Sequence, residues 1–328
     1  MINFRLSSRI TNLKNLHLLQ PSFERSNDGR SIWVLREDEL GGFWGTKFRK
    51  YASILEHCRR ENISRIICTG GINSNNLAAA AILCAEFGLK VFAFAVEDHS
   101  DNNAPATGNR LILKTALAPD QLILVPRSER HTVDTRMQEL SVKLNTAGCK
   151  TLVLHEGGGC IEAVPGAITL ADEVVRQRRE WHDNKIPDHI FIDSGTGLSA
   201  ASLAAGLVKH NASRKTKLHV IQMAGFEEQI KNAFESWVTP VTGVNWEETK
   251  NFLRVYRPLS PKSYGATSKE LFAFIQMMAR EHGILTDPVY SAKLFARAFD
   301  LIEGQNLRGR ILIIHTGGLS GLLGYSFK

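Results

Sequence analysis

Long apolar runs are missing from this chain. The longest uninterrupted stretch, Leu77–Ala85, is nine residues, against about 20 for a membrane-spanning helix, so no membrane segment is expected. The opening MINFRLSSRITNLKN carries neither an apolar core nor a small-residue cleavage site, and no secretory leader is expected. Cysteine is sparse and odd in number: Cys58, Cys68, Cys84, Cys149 and Cys160, with no C-x-x-C spacing. That argues against a disulfide framework and a cysteine zinc site, and it fits a reducing cytoplasm. The 11 histidines are scattered without an H-E-x-x-H, so a zinc hydrolase has no ligand set and no metal is expected. Disordered and collagen-like classes are excluded by an apolar share of 43% and a charged share of 22%.

A net charge of +7 raises the question of nucleic acid. The basic residues are dispersed, however. Their densest cluster, RQRREWHDNK at 176–185, also carries Glu180 and Asp183 and reads as a solvated helix end. No nucleic-acid partner is expected.

What is present is alternation. Short β-branched runs occur at 32–36, 65–69, 91–96, 122–126, 151–155, 189–193, 218–224 and 310–315, bounded by Gly, Asn or Ser. Helix-period segments lie at 47–60, 74–88, 131–146, 162–181, 197–210, 268–282 and 291–303. This predicts a doubly wound α/β fold. Eight strands exceed one comfortable sheet with right-handed crossovers, so two domains are expected in the 328 residues.

Glycine clusters stand where strands hand over to helices: TGGINSN (69–75), HEGGGC (155–160), DSGTGLS (193–199) and HTGGLSG (315–321). Open α/β sheets bind ligands at the carboxyl ends of their strands, and four such loops outweigh the reading that each glycine only turns the chain. In DSGTGLSAAS, exposed N–H groups at a helix start would cradle an anion, with Thr196 and Ser199 adding hydroxyls. The string also matches G-x-G-x-x-A. A dinucleotide site wants an acidic residue ~20 positions on, yet no Asp or Glu falls between Ser194 and Phe226. A phosphate monoester is the expected ligand. GTKFRKYASIL (45–55) opens a helix with Lys47, Arg49 and Lys50, where the macrodipole favours acids. A lysine among cations has a lowered pKa and can bond a carbonyl carbon. In TGGINSNN, Ser74 or Asn75 would cap the next helix, and the same N–H groups could take a substrate carboxylate. LTDPVYSAK (285–293) sets Tyr290 and Ser291 at a helix start behind Asp-Pro.

Together these motifs resemble the fold type II pyridoxal-phosphate (PLP) enzymes, and within them the family of 1-aminocyclopropane-1-carboxylate deaminase and D-cysteine desulfhydrase. The resemblance runs from LREDELGGFWGTKFRKY (35–51) to HTGGLSGLLGY (315–325). It implies a two-domain α/β architecture of open, mostly parallel sheets flanked by helices: 1–50 with 161–328 as the large cofactor domain, and 51–160 as a small inserted domain. It implies that Lys47 bonds the cofactor. Gly195, Thr196, Gly197, Leu198 and Ser199 would hold its phosphate, Asn75 its ring hydroxyl, and Ser291 would face the pyridine nitrogen. Ser74, Asn75 and Asn76 would hold the substrate carboxylate, with Ser74, Tyr264 and Tyr290 joining Lys47 in catalysis. A homodimer acting on a small amino acid is also implied.

This chain departs from the family's pattern around the substrate. Thr46 replaces Asn before the lysine, Asn73 and Asn76 replace Gln and His or Gln, and HEGGGCIEAVPG replaces a P-x-G-G-S stretch. Cys160, inside that stretch, reads as a small buried hydrophobe. Family members that open a cyclopropane ring carry Glu at the Ser291 place. A hydroxyl cannot hold a proton on the nitrogen by charge, so the expected reaction is β-elimination from D-cysteine. Ring opening is the alternative, and a PLP-binding protein without turnover is the alternative from another class.

Overall fold

The computed structural model describes residues 16–18, 29–42, 44–97, 106–180, 184–259 and 264–325. Among them run ten strands: β1 (Leu16–Leu18), β2 (Arg30–Arg36), β3 (Arg65–Gly71), β4 (Lys90–Val96), β5 (Leu122–Val125), β6 (Thr151–Leu154), β7 (His189–Ser194), β8 (Lys217–Gln222), β9 (Leu253–Tyr256) and β10 (Gly309–His315). The longer helices are α1 (Thr46–Glu61), α2 (Asn75–Glu86), α3 (Gly108–Ala116), α4 (Val133–Thr146), α5 (Val164–Gln177), α6 (Leu198–Lys209), α7 (Glu227–Ala233), α8 (Lys269–His282) and α9 (Ser291–Gly304). The chain divides into two compact units, Met1–Arg49 with Ala167–Leu319, and Lys50–Gly166 with Ser320–Lys328.

In the first unit a six-stranded sheet runs β1-β2-β10-β7-β8-β9. All its pairs are parallel except the antiparallel edge pair of β1 and β2. The central strands are continuous apolar runs, as strands buried on both faces must be: Ile190–Ile192 and Ile311–Ile314 have no exposed surface. Below β7 and β10, Phe295, Ala298 and Ile302 of α9 and Met278 of α8 complete the core. A Cβ on Gly206 of α6 would overlap that of Ala171 on α5, so this glycine sets the spacing of two helices. The second unit is a four-stranded parallel sheet, β5-β4-β3-β6. Ile67, Phe94, Val125, Val133 and Met137 pack α4 against it. Its helix α2 is rich in alanine and leucine and is buried from Asn75 to Ala81.

All eight expected strands are present. The elements not anticipated are β1, β9, α3 and α7. Strand β9 is only LRVY and mostly half-exposed, so it lacks the apolar run that flags a strand. Helix α3 begins after Thr107, whose side chain makes no capping bond, and its LIL run reads as strand. The chain also departs from the expected domain limits. Ser320 onward belongs to the second unit, because a Cβ on Gly321 would press on Asn75 and Asn109 and one on Gly108 would strike the Gly324 backbone. Arg176, Arg178 and Arg179 are exposed, with Arg176 paired to Glu173, as a solvated helix end requires. Trp181, His182 and Asp183 of that cluster lie outside the described residues.

One buried pair makes stability depend on pH. His219 is 4% exposed, stacks on Phe191 and meets His189 Nδ1 at 3.0 Å through Nε2. Burial, then His189, Arg254 and Lys217, push its pKa down to about 3 from 6.5. An unfolded histidine protonates near 6.5, so unfolding takes up a proton below that pH. Stability is intact above pH 6.5 and falls as pH drops further, by up to about 1.4 kcal/mol per unit. His219→Phe keeps the stacking and should flatten that slope in urea titrations between about pH 6 and 4. An unchanged slope would mean that other groups set it.

Candidate active site

Lys47 projects from the first turn of α1. Two glycines allow that turn to sit against the end of β10. Gly45 (φ +61°) has no room for a side chain beside the Thr316 carbonyl, and Gly317 (φ +103°) approaches Gly45 in turn. Thr46 N–H donates to that carbonyl at 3.0 Å. The Lys47 side chain keeps partial access to the surface, and its Nζ lies 5.9 Å from the centre of the Tyr290 ring. Burial lowers its pKa, against the opposing pull of Asp193 and Asp287.

The expected cause of that lowering was the neighbouring cations, and here the structure corrects the sequence. Arg49 turns away into a bidentate pair with Glu37 (2.5 and 2.7 Å), and Lys50 donates to Gly157 O at 2.5 Å. Desolvation, not repulsion, makes Lys47 a neutral nucleophile more readily.

The carboxyl ends of β7 and β10 hold the rest of this cluster. Gly197 (φ +93°) opens α6, and a Cβ there would run into the Gln229 carbonyl. No capping side chain stands at that position, so first-turn N–H groups of α6 remain available. Thr196 and Ser199 are half-buried beside them. Gly195 faces Tyr290, whose hydroxyl a Cβ would meet at 3.1 Å. The Tyr290 and Tyr264 hydroxyls lie 3.0 Å apart, and burial followed by Tyr264 raises the Tyr290 pKa well above its usual value.

Ser291 is wholly buried, and its hydroxyl is engaged within its own turn. It donates to Asp287 Oδ1 and accepts from Asp287 N–H, both at 2.7 Å. Two residues escaped the sequence reading. Thr316 Oγ1 donates to Asp193 Oδ1 at 2.7 Å. Burial raises the Asp193 pKa to about 6, although the Thr316 bond and Lys47 act the other way. The available signal was an acid at a strand tip directly before a glycine loop.

The second unit holds the remaining candidates. Ser74 is the N-cap of α2, its oxygen accepting from Asn76 N–H (3.1 Å) and Leu77 N–H (3.3 Å). Asn75 Oδ1 accepts from Asn109 Nδ2 at 2.6 Å and Ser320 Oγ at 3.5 Å. Those donors fix its amide so that the NH2 is the group left to face a ligand. Asn76 is 3% exposed, and with its amide oriented to satisfy its neighbours, NH2 toward Gly157 O (3.2 Å) and oxygen toward Gly158 N–H (3.1 Å), it ties down the 156–160 loop. Cys160, in that loop, is buried, which pushes its thiol up to about 12 and leaves it inert. Among the described residues no group of His, Cys, Asp and Glu could hold a metal ion.

Residues 11–317 match the family of pyridoxal-phosphate dependent enzymes, and the chain belongs to that family. It is 28% identical over 316 residues to D-cysteine desulfhydrase of Serratia proteamaculans, with 90% of this chain and 89% of that protein covered. Its fold matches the crystal structure of an ACC deaminase homologue at a TM-score of 0.78 and 23% identity, over 94% of this chain and 90% of the other. It also matches a hydrogen sulfide-producing enzyme of Fusobacterium nucleatum at 0.66 and 16%, over 98% and 100%. The architecture is therefore that of fold type II, and the cofactor is pyridoxal 5'-phosphate.

The residues fit that cofactor: a desolvated lysine amine, and a helix start whose glycine admits no side chain. Ser199→Asp separates the phosphate reading from a merely structural loop. An aspartate in the first turn of a free helix stabilises it by about 0.3–1 kcal/mol. The same charge repels a bound dianion, so PLP affinity should fall by more than about tenfold while the cofactor-free protein melts no lower. Equal PLP affinity in the variant would remove the phosphate from this loop.

Proposed function

We propose that this chain is a PLP-dependent carbon–sulfur lyase, with D-cysteine as its lead substrate and keto acid, ammonia and sulfide as products. The observation that carries the reading is Lys47, a desolvated and partly accessible amine beside the Tyr290–Tyr264 pair. The desulfhydrase relatives support the choice of substrate.

When bound, the cofactor supplies the electron sink. The chain supplies binding and proton handling. Gly195, Thr196, Gly197, Leu198 and Ser199 would hold the phosphate on backbone N–H groups and hydroxyls. Asn75 would donate to the ring hydroxyl, and Ser74 with the Asn75–Asn76 stretch would take the substrate carboxylate. The Lys47 amine, its pKa lowered by burial, would accept the proton at its Nζ. Ser74 is the weaker base, because two N–H donors already draw on its oxygen. Tyr290 stays protonated and can donate to a departing thiolate, while the exposed Tyr264 hydroxyl passes it a proton from solvent.

Ring opening of 1-aminocyclopropane-1-carboxylate is the second reading, favoured by the Asp193 carboxylate near Lys47. The protein is taken to act as a cytoplasmic homodimer; none of its described helices is long and apolar enough to cross a membrane. The test offers both cysteine enantiomers and the cyclopropane amino acid to one PLP-loaded preparation. Sulfide and pyruvate from D-cysteine are expected. Ketobutyrate with no sulfide from either enantiomer would move the assignment to ring opening. Release of ammonia from none would leave a PLP-binding protein without turnover.

A further inference from the structure

Two buried carboxylates, Asp193 and Asp287, act on the Lys47 ammonium, and they are not equivalent. Asp287 has no exposed surface, and both its oxygens are taken. Oδ1 accepts from the N–H and hydroxyl of Ser291, and Oδ2 from the N–H groups of Val289 and Tyr290. That carboxylate builds the turn. Asp193 keeps 7% of its surface, and the protein bond it makes is to Thr316 through Oδ1. It is the penultimate residue of β7, two residues before Gly195, and the carbonyl of its partner Thr316 accepts from the N–H of Thr46, the neighbour of Lys47.

A cofactor bonded to Lys47 and held by its phosphate at Gly195–Ser199 has its ring among groups near both anchors. Asp193 is the carboxylate there with surface left to offer. We propose that Asp193, oriented by Thr316, faces the ring nitrogen of the bound cofactor and keeps it protonated. An adjacent negative charge favours the charged form of a base, and an aspartate is a known kind of partner for this nitrogen. Ser291, with its hydroxyl engaged by Asp287, does not take that part. This inference rests on the PLP reading and deepens it. A protonated ring is a strong sink, so ring electronics no longer separate elimination from ring opening.

The test loads the full-length protein with PLP carrying nitrogen-15 in its ring and reads the nitrogen resonance at neutral pH. The wild-type signal should lie in the protonated region. In Asp193→Asn it should move to the unprotonated region while the visible band of lysine-bound cofactor persists. Thr316→Val removes the hydroxyl that orients the carboxylate, so its signal should move toward the unprotonated region, which also decides the matter if Asp193→Asn does not fold. An unprotonated wild-type signal, a protonated Asp193→Asn, or a Thr316→Val signal unchanged from wild type would each overturn the proposal. Failure of the wild type to retain PLP would instead overturn the cofactor assignment itself.

Discussion

Lys47→Ala will leave a folded protein that binds PLP only reversibly and turns over roughly 10²–10⁴-fold more slowly, the range lost with a positioned proton-transfer group. The fold should survive because the Lys47 side chain carries no structural ion pair in the described structure; the turn is held by Thr46, Gly45 and Arg49. The visible absorbance of covalently held cofactor should vanish in the variant. Lys47→Arg should fare no better, since a guanidinium is always charged and cannot serve as a neutral nucleophile. Stopped-assay rates together with absorbance after gel filtration measure both losses. A variant retaining most of its turnover would displace Lys47 from the chemistry.

Glu37→Ala should cost about 3–5 kcal/mol of folding stability, the toll of stranding one charge of a buried pair. Glu37 has no exposed surface and Arg49 only 1%. Burial alone would lower the Arg49 pKa, yet Glu37, with Glu173 and Asp172, overrides it and the net shift is upward. Arg49 also donates to Thr169 Oγ1 at 3.0 Å, so the pair fastens the first turn of α1 within its unit. The comparison is Arg30–Glu303, where the carboxylate side chain is 58% exposed. Glu303→Ala should cost no more than about 1 kcal/mol. Urea unfolding of both variants checks the ranking. A Glu37→Ala loss near that of Glu303→Ala would mean the buried pair does not hold the turn.

The contrast between Lys47 and Asp193 shows what was legible in the sequence. Strand and helix periods located the β-strands and the glycine loops at their carboxyl ends, since those signals are local. Lys47 stood out because a cation at a helix start breaks a local rule, although the reason for its lowered pKa was misread. Burial is a tertiary property, and no spacing along the chain reports it. Asp193 and Thr316 lie 123 residues apart, and only the neighbouring strands β7 and β10 bring them together. Ser291 is expected at the pyridine nitrogen from the family resemblance alone. The four-residue turn back to Asp287 that engages it belongs to the D-P-V-Y-S string itself and could have been anticipated. The Asn76 amide also meets Gly157 and Gly158, a tertiary contact that its place in the S-N-N string does not report.

The bond between Lys47 and the cofactor is tested directly by borohydride reduction of the PLP-loaded protein followed by peptide mapping. The reduced cofactor should be found on the peptide carrying Lys47, in stoichiometric amount, and should be absent from Lys47→Ala. A label on Lys50 or Lys293, or no label after PLP addition, would contradict it.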